Sequence, residues 1–119
     1  MMDYTNKKIN FNTSKIQAKI TKRLSVSHNN QIYQCINAIN LNQYYCLKIS
    51  TFQTTDKLSL SIINTEIFLL LNLKSSPNIV QIIDYFTIEN NNYTTCFILL
   101  EYYQSKLDNF IYITTYINY

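Results

Sequence analysis

Ile16, Ala18 and Ile20 alternate with Gln17, Lys19 and Thr21, the two-residue period of a strand with one buried face. The polar run from Ser25 to Asn30 breaks that alternation and predicts a turn. Ile32 to Ile39 predicts a second strand, Asn40-Leu41-Asn42 a second turn, and Gln43 to Ile49 a third strand rich in aromatic and branched residues. These three strands predict an antiparallel meander.

From about Lys57 to Leu73 the period changes. Ile62, Ile63, Leu69, Leu70 and Leu73 recur at three- and four-residue spacing, as on one face of a helix. Asn64 competes as an N-cap, which leaves the start of the helix open by several residues. The sole proline, Pro77, lies where a stop is expected. Ile79 to Ile88 and Tyr93 to Tyr102 predict two apolar strands joined at Asn90-Asn91-Asn92, and Leu107, Phe110 and Ile111 hint at a short second helix. The order β-β-β-α-β-β-α predicts an α+β domain: a five-stranded antiparallel sheet with one packed helix. Residues 1–14 lack sustained periodicity and read as a polar tail, residues 15–111 as one lobe, and residues 112–119 as a C-terminal segment.

Composition narrows the class. A chain of 119 residues with 47% hydrophobic and 14% charged residues is one folded domain at most. The longest apolar runs, Ile67–Leu71 and Phe97–Leu100, fall far short of the roughly 20 residues of a membrane helix, and no secretory leader is recognisable. A cytoplasmic location with reduced thiols is expected for Cys35, Cys46 and Cys96, which form no C-x-x-C pair. With His28 the only imidazole, a zinc site would need all three cysteines to converge. Six of the ten basic residues (Lys7, Lys8, Lys15, Lys19, Lys22, Arg23) lie in the first 23 positions. Such a cluster is usually a solvated face, so neither nucleic acid nor membrane is expected as a partner. Glycine is absent altogether, and Asn, Ile and Tyr are abundant, as nucleotide bias in a genome would produce.

Candidate chemistry lies in a series of blocks. Leu24-Ser25-Val26-Ser27-His28-Asn29-Asn30-Gln31-Ile32-Tyr33 is followed by Tyr45-Cys46-Leu47-Lys48, and Glu66 lies within the predicted helix. Next come Leu73 with Ser75-Ser76-Pro77-Asn78-Ile79-Val80, then Phe97-Ile98-Leu99-Leu100-Glu101-Tyr102 and Leu107-Asp108-Asn109-Phe110-Ile111. In order and spacing, over about residues 16 to 112, they resemble the N-terminal, ATP-binding lobe of eukaryotic protein kinases. That family opens with a glycine-rich loop, places a lysine on the third strand and a glutamate on the following helix. The resemblance implies a kinase-like N-lobe with its helix in the αC position. Lys48 would contact the ATP α- and β-phosphates, and Glu66 would hold Lys48. Leu24, Ser25, Ser27 and Asn30 would belong to the loop, Ile32 and Cys46 to the adenine roof. Leu100 would stand as gatekeeper, with Glu101 to Tyr103 as the hinge.

The chain departs from that family in two respects. Ser25, Ser27 and Asn30 occupy the three glycine positions, where strain of about 1 kcal/mol per site is expected if the backbone must reach positive φ. The chain also holds no His-Arg-Asp loop and no Asp-Phe-Gly, so the base and magnesium ligands of the family are missing. The resemblance therefore implies a partial protein kinase domain, inactive alone. It would bind ATP, with Mg only if a C-terminal lobe is supplied. The alternatives are a non-catalytic, pseudokinase-like module that binds nucleotide or protein, or a gene remnant. A protein partner or the missing C-lobe would cover the underside of such a lobe, so association or aggregation is expected when it is isolated.

Overall fold

The computed structural model describes residues 2–76 and 79–102. Its elements run β1 (Lys8–Phe11), β2 (Ile16–Val26), β3 (Asn30–Asn37), β4 (Tyr44–Gln53), α1 (Lys57–Asn72), β5 (Ile82–Glu89) and β6 (Tyr93–Glu101). One antiparallel sheet of six strands, in the order β1-β2-β3-β4-β6-β5, unites them into an α+β fold. Pro77, Tyr103 and the expected second helix at Leu107, Phe110 and Ile111 lie outside the described residues.

The strand count corrects the expectation of five, because β1 forms within residues read as a tail. Its four residues show little periodicity of their own. Tertiary contacts hold the strand in place: the Phe11 ring meets Phe86 of β5 at 5.2 Å and 72°. The adjoining Ser14 amide donates to the Asp84 carboxylate at 2.8 Å. These contacts bring the two outer strands together, so the sheet curls into a nearly closed barrel, which hides the edges a flat sheet would expose.

Curling separates two apolar regions. Inside the barrel Phe11, Ala18, Ile20, Tyr33, Leu47 and Phe97 pack together. Phe86 stacks on Phe97 with ring centroids 4.7 Å apart. Residues preceding β1 cap this interior. Tyr4 sets its ring edge-on to Tyr33 and Phe97, and its amide donates to the Tyr33 hydroxyl at 3.0 Å. The opposite face of the sheet carries the second region, in which Ile63 and Leu70 of α1 meet Phe52, Val80, Ile82 and Ile98.

The start of α1 is settled by Asp56, not Asn64. The Asp56 carboxylate accepts from the Ser59 amide at 3.1 Å and from its hydroxyl at 2.7 Å. These bonds hold the carboxyl below its ordinary value. Of the apolar residues expected on one helical face, Ile63 and Leu70 are buried, whereas Leu69 and Leu73 face outward with Leu58 and Phe68. The helix is apolar on both sides, so periodicity alone blurred its buried face. Among the described residues no helix is long and apolar enough to cross a membrane.

Three residues with side chains take left-handed backbone: Asn6 (φ 69°), Lys15 (φ 59°) and Ser75 (φ 73°). Lys15 closes the β1–β2 hairpin, a position that glycine fills at no steric cost.

The three cysteines are buried and unbridged. Burial pushes the Cys46 thiol from its ordinary 9.0 to about 12. Burial, with Cys46 nearby, also pushes Cys35 up, and burial is the main cause of a rise at Cys96. The folded protein therefore keeps protons that the unfolded chain releases above pH 9. Stability from this source is intact below that pH and declines as pH rises toward 12, by up to about 1.4 kcal/mol per thiol at pH 10. Urea melts are expected to show a lower midpoint at pH 10 than at pH 7.5, and a maleimide to label the thiols at pH 7.5 only after unfolding. Labelling of the folded chain would contradict this account.

Candidate functional site

Lys48 occupies the middle of β4, directly across from Ile32 on β3 and Ile98 on β6. Both flanking isoleucines are buried, and so is the lysine, at 0% exposure. A stem packed on both sides can carry its ammonium in one direction, off the sheet toward α1. There Lys48 Nζ donates to both Glu66 oxygens, at 2.8 Å and 2.6 Å, across 18 residues of sequence. Glu66 is 8% exposed and shares the inward side of the helix with Ile63 and Leu70. The three- and four-residue spacing thus puts one carboxylate into an otherwise apolar stripe, facing Lys48, the one lysine withdrawn from water among the described residues.

Beside this pair the sheet offers an apolar roof. Cys46 lies two residues before Lys48 on the same face, across from Leu100. Ile32, Cys46 and Leu100 are all buried in the helix-side core, with Leu24 and Tyr102 packed against it. Glu101 ends β6, where its carboxylate accepts from the Gln81 amide at 3.1 Å. The structure therefore brings Leu24, Ile32, Cys46, Lys48, Glu66 and Leu100 to one face, with Glu101 at its margin.

The serine-bearing segment forms a tight flap. The Ser27 amide donates to the Asn30 carbonyl at 2.9 Å, so His28 and Asn29 are the two central residues of the turn. Ser25 remains in β2, across from Ile32 and next to a bulge. None of Ser25, Ser27 and Asn30 has positive φ, which corrects the expectation of strain at those positions. The turn closes in conformations open to any residue, so glycine is not needed for its path.

Sequence reasoning missed the partners of this flap on β4. The Thr51 amide donates to the Asn29 carbonyl at 2.9 Å, and the Ser50 hydroxyl donates to Asn30 Oδ1 at 2.5 Å. A cavity of about 50 Å³ remains under the tip, lined by His28, Ser50 and Phe52 and by Ser59, Ile62 and Ile63 of α1. One signal was available: Ser50 lies two residues beyond Lys48 and so shares its face.

Among the described residues no three His, Cys, Asp or Glu side chains gather as a metal site. The cysteines divide between regions, with Cys35 inside the barrel and Cys46 and Cys96 on the helix side. No protein-family model matches the chain, and no curated protein matches it in sequence.

A buried ammonium requires its counter-charge. Glu66→Gln is expected to cost about 3–5 kcal/mol, because the ammonium would lose its balancing charge in a water-excluded place. Replacing both partners together (Lys48→Met with Glu66→Leu) is expected to cost less than Glu66→Gln alone. Urea denaturation of the two variants checks this, and a larger loss in the double variant than in Glu66→Gln would deny the coupling.

Proposed function

We propose that this chain is the ATP-binding lobe of a protein kinase domain, without phosphoryl-transfer activity of its own. The observation that carries the reading is the buried Lys48–Glu66 pair, which joins the middle of a sheet strand to the inward side of the helix. Phosphoryl transfer relies on positioning and on neutralising phosphate charge. A lysine whose direction is set by a helix-borne carboxylate supplies both for the α- and β-phosphates. Ile32, Cys46 and Leu100 give the adjacent apolar surface on which an adenine ring would lie, with Leu24 at its edge. Glu101 and Tyr103 would supply hinge backbone groups to the base, and Ser25, Ser27 and Asn30 would lie over the phosphates. The 119 residues hold neither the base nor the metal ligands of the reaction, so Mg would be engaged only together with a second lobe.

The alternative, a pseudokinase-like module that binds nucleotide or protein without chemistry, draws on the flap. Its tip is bonded to Ser50 and Thr51, and the space beneath it is about 50 Å³, too little for a triphosphate unless the flap lifts. The outward apolar residues Leu58 and Phe68 of α1 fit a lobe that meets a further protein surface.

A thermal-shift titration with ATP tests the shared core of both readings. At tenfold excess over its Kd, ATP is expected to stabilise the protein by about 1.4 kcal/mol, or roughly 5–10 °C for a domain of this size. Lys48→Met is expected to abolish the shift. Equal shifts in both proteins, or none in either, would remove the assignment. Transfer of phosphate to a generic acceptor by the 119-residue chain would overturn the claim of inactivity.

A further inference from the structure

The register of the first three strands decides where the N-terminal lysines point. Lys8 lies directly across from Lys19, Lys19 across from Ile36, and Ile36 across from Tyr44. Residues paired in an antiparallel sheet share a face. These four therefore form one row, on the side away from buried Ala18 and Ile20. The neighbouring row begins with Lys22, across from Gln34 and beyond a bulge in β2. Lys8, Lys19 and Lys22 are all exposed.

Like charges directly opposed on neighbouring strands destabilise a sheet. Among the described residues, no acidic side chain is registered in these rows to offset Lys8 and Lys19. Asp3 sits 4.0 Å from Arg23, whose strand partner is the buried Tyr33 of the other face. Asp84 holds the Ser14 amide, and Glu66 holds Lys48. Three of the lysines in the N-terminal cluster, Lys8, Lys19 and Lys22, are thus gathered on one face with no registered counter-charge. The far end of the row is aromatic: Tyr44 is 49% exposed, and its ring centroid is 6.5 Å from that of Tyr102 at 48°.

We propose that this face of β1, β2 and β3 binds single-stranded nucleic acid, with phosphates on Lys8, Lys19 and Lys22 and a base against Tyr44. Positive charge beside an exposed aromatic ring is the combination that holds single strands, the charge following the backbone and the ring stacking a base of any identity. Lys19 and Tyr44 are two strand spacings apart, about 10 Å, near enough for one strand to touch both. Asn10, Gln17 and Gln34 lie among the lysines and offer hydrogen bonds to phosphates or base edges. An anionic membrane is the poorer match, because the lysines are interleaved with these amides and, among the described residues, the strongly exposed apolar side chains beside the row, Ile39 and Leu41, are confined to the β3–β4 turn. The surface does not depend on nucleotide binding at Lys48.

Fluorescence anisotropy with labelled 12-mers of oligouridylate and oligothymidylate, over a salt series, tests the proposal. Affinity should fall with salt, and Lys8→Gln with Lys19→Gln should reduce the log–log slope by about 1.4, two single-strand phosphate contacts. Tyr44→Ala should weaken binding roughly 5- to 150-fold and leave the slope unchanged, whereas Tyr44→Phe should bind as the parent does. Lack of oligonucleotide binding at 50 mM salt would overturn the proposal. So would an unaltered slope in the double variant, or unaltered affinity in Tyr44→Ala. Capture by phosphatidylserine vesicles without oligonucleotide binding would assign the lysines to a membrane and overturn it equally.

Discussion

Two opposite charges withdrawn from water set the distance between sheet and helix. Moving an isolated ammonium or carboxylate into a protein interior costs several kcal/mol even after relaxation. Neither Lys48 nor Glu66 could occupy its place without the other close by. Their bonds of 2.6 and 2.8 Å tolerate little error in the elements that carry them. The strand must hold Lys48 between Ile32 and Ile98, and the helix must start at Asp56 so that Glu66 turns inward with Ile63 and Leu70. Strand register, helix phase and N-cap are therefore tied to one contact. That contact contributes more to the definition of one arrangement than to net stability, since well-packed apolar residues can replace such pairs at small cost.

The strands that follow their own periodicity were legible in the sequence. β2, β3, β4, β5 and β6 each contain the alternating or apolar run that predicted them, with ends displaced by a few residues. β1 was not legible, because the contacts that hold it are remote: Ser14 and Asp84 are 70 positions apart. The Lys48–Glu66 pair could be anticipated, since its strand lysine and helix glutamate stand in a familiar order. The attachment of the flap to Ser50 and Thr51 could not, because a side-chain bond between Asn30 and Ser50 leaves no periodic trace. The orientation of Leu69 and Leu73 was misjudged for a related reason: a helix with apolar residues on two sides does not declare which stripe the sheet will cover.

The two faces of the sheet divide the molecule's tasks. The inner face is filled by its own side chains and capped by Tyr4, so it serves cohesion. The opposite face runs from the helix, past Lys48 and the Cys46–Leu100 roof, to Tyr44 and the exposed lysines. Among the described residues, Leu24, Ile32, Cys46, Lys48, Glu66 and Leu100 all lie along that one continuous surface. Successive residues of a strand alternate between faces, so β4 supplies Leu47 and Ile49 to cohesion and Cys46 and Lys48 to the site.

A backbone without glycine must make its left-handed turns with residues that resist them. Lys15 and Ser75 each carry a penalty of about 1 kcal/mol or more, and Asn6 a smaller one. Domains of this size are held by only about 5–15 kcal/mol. Were glycine to appear through a change in codon supply, its effect would differ by location. At 15 and 75 it would relieve a misfit. At 25, 27 and 30, where the path needs no such freedom, it would only loosen a flap now held by ordinary residues. Base composition and the stiffness of this flap would then drift together as a single inherited trait.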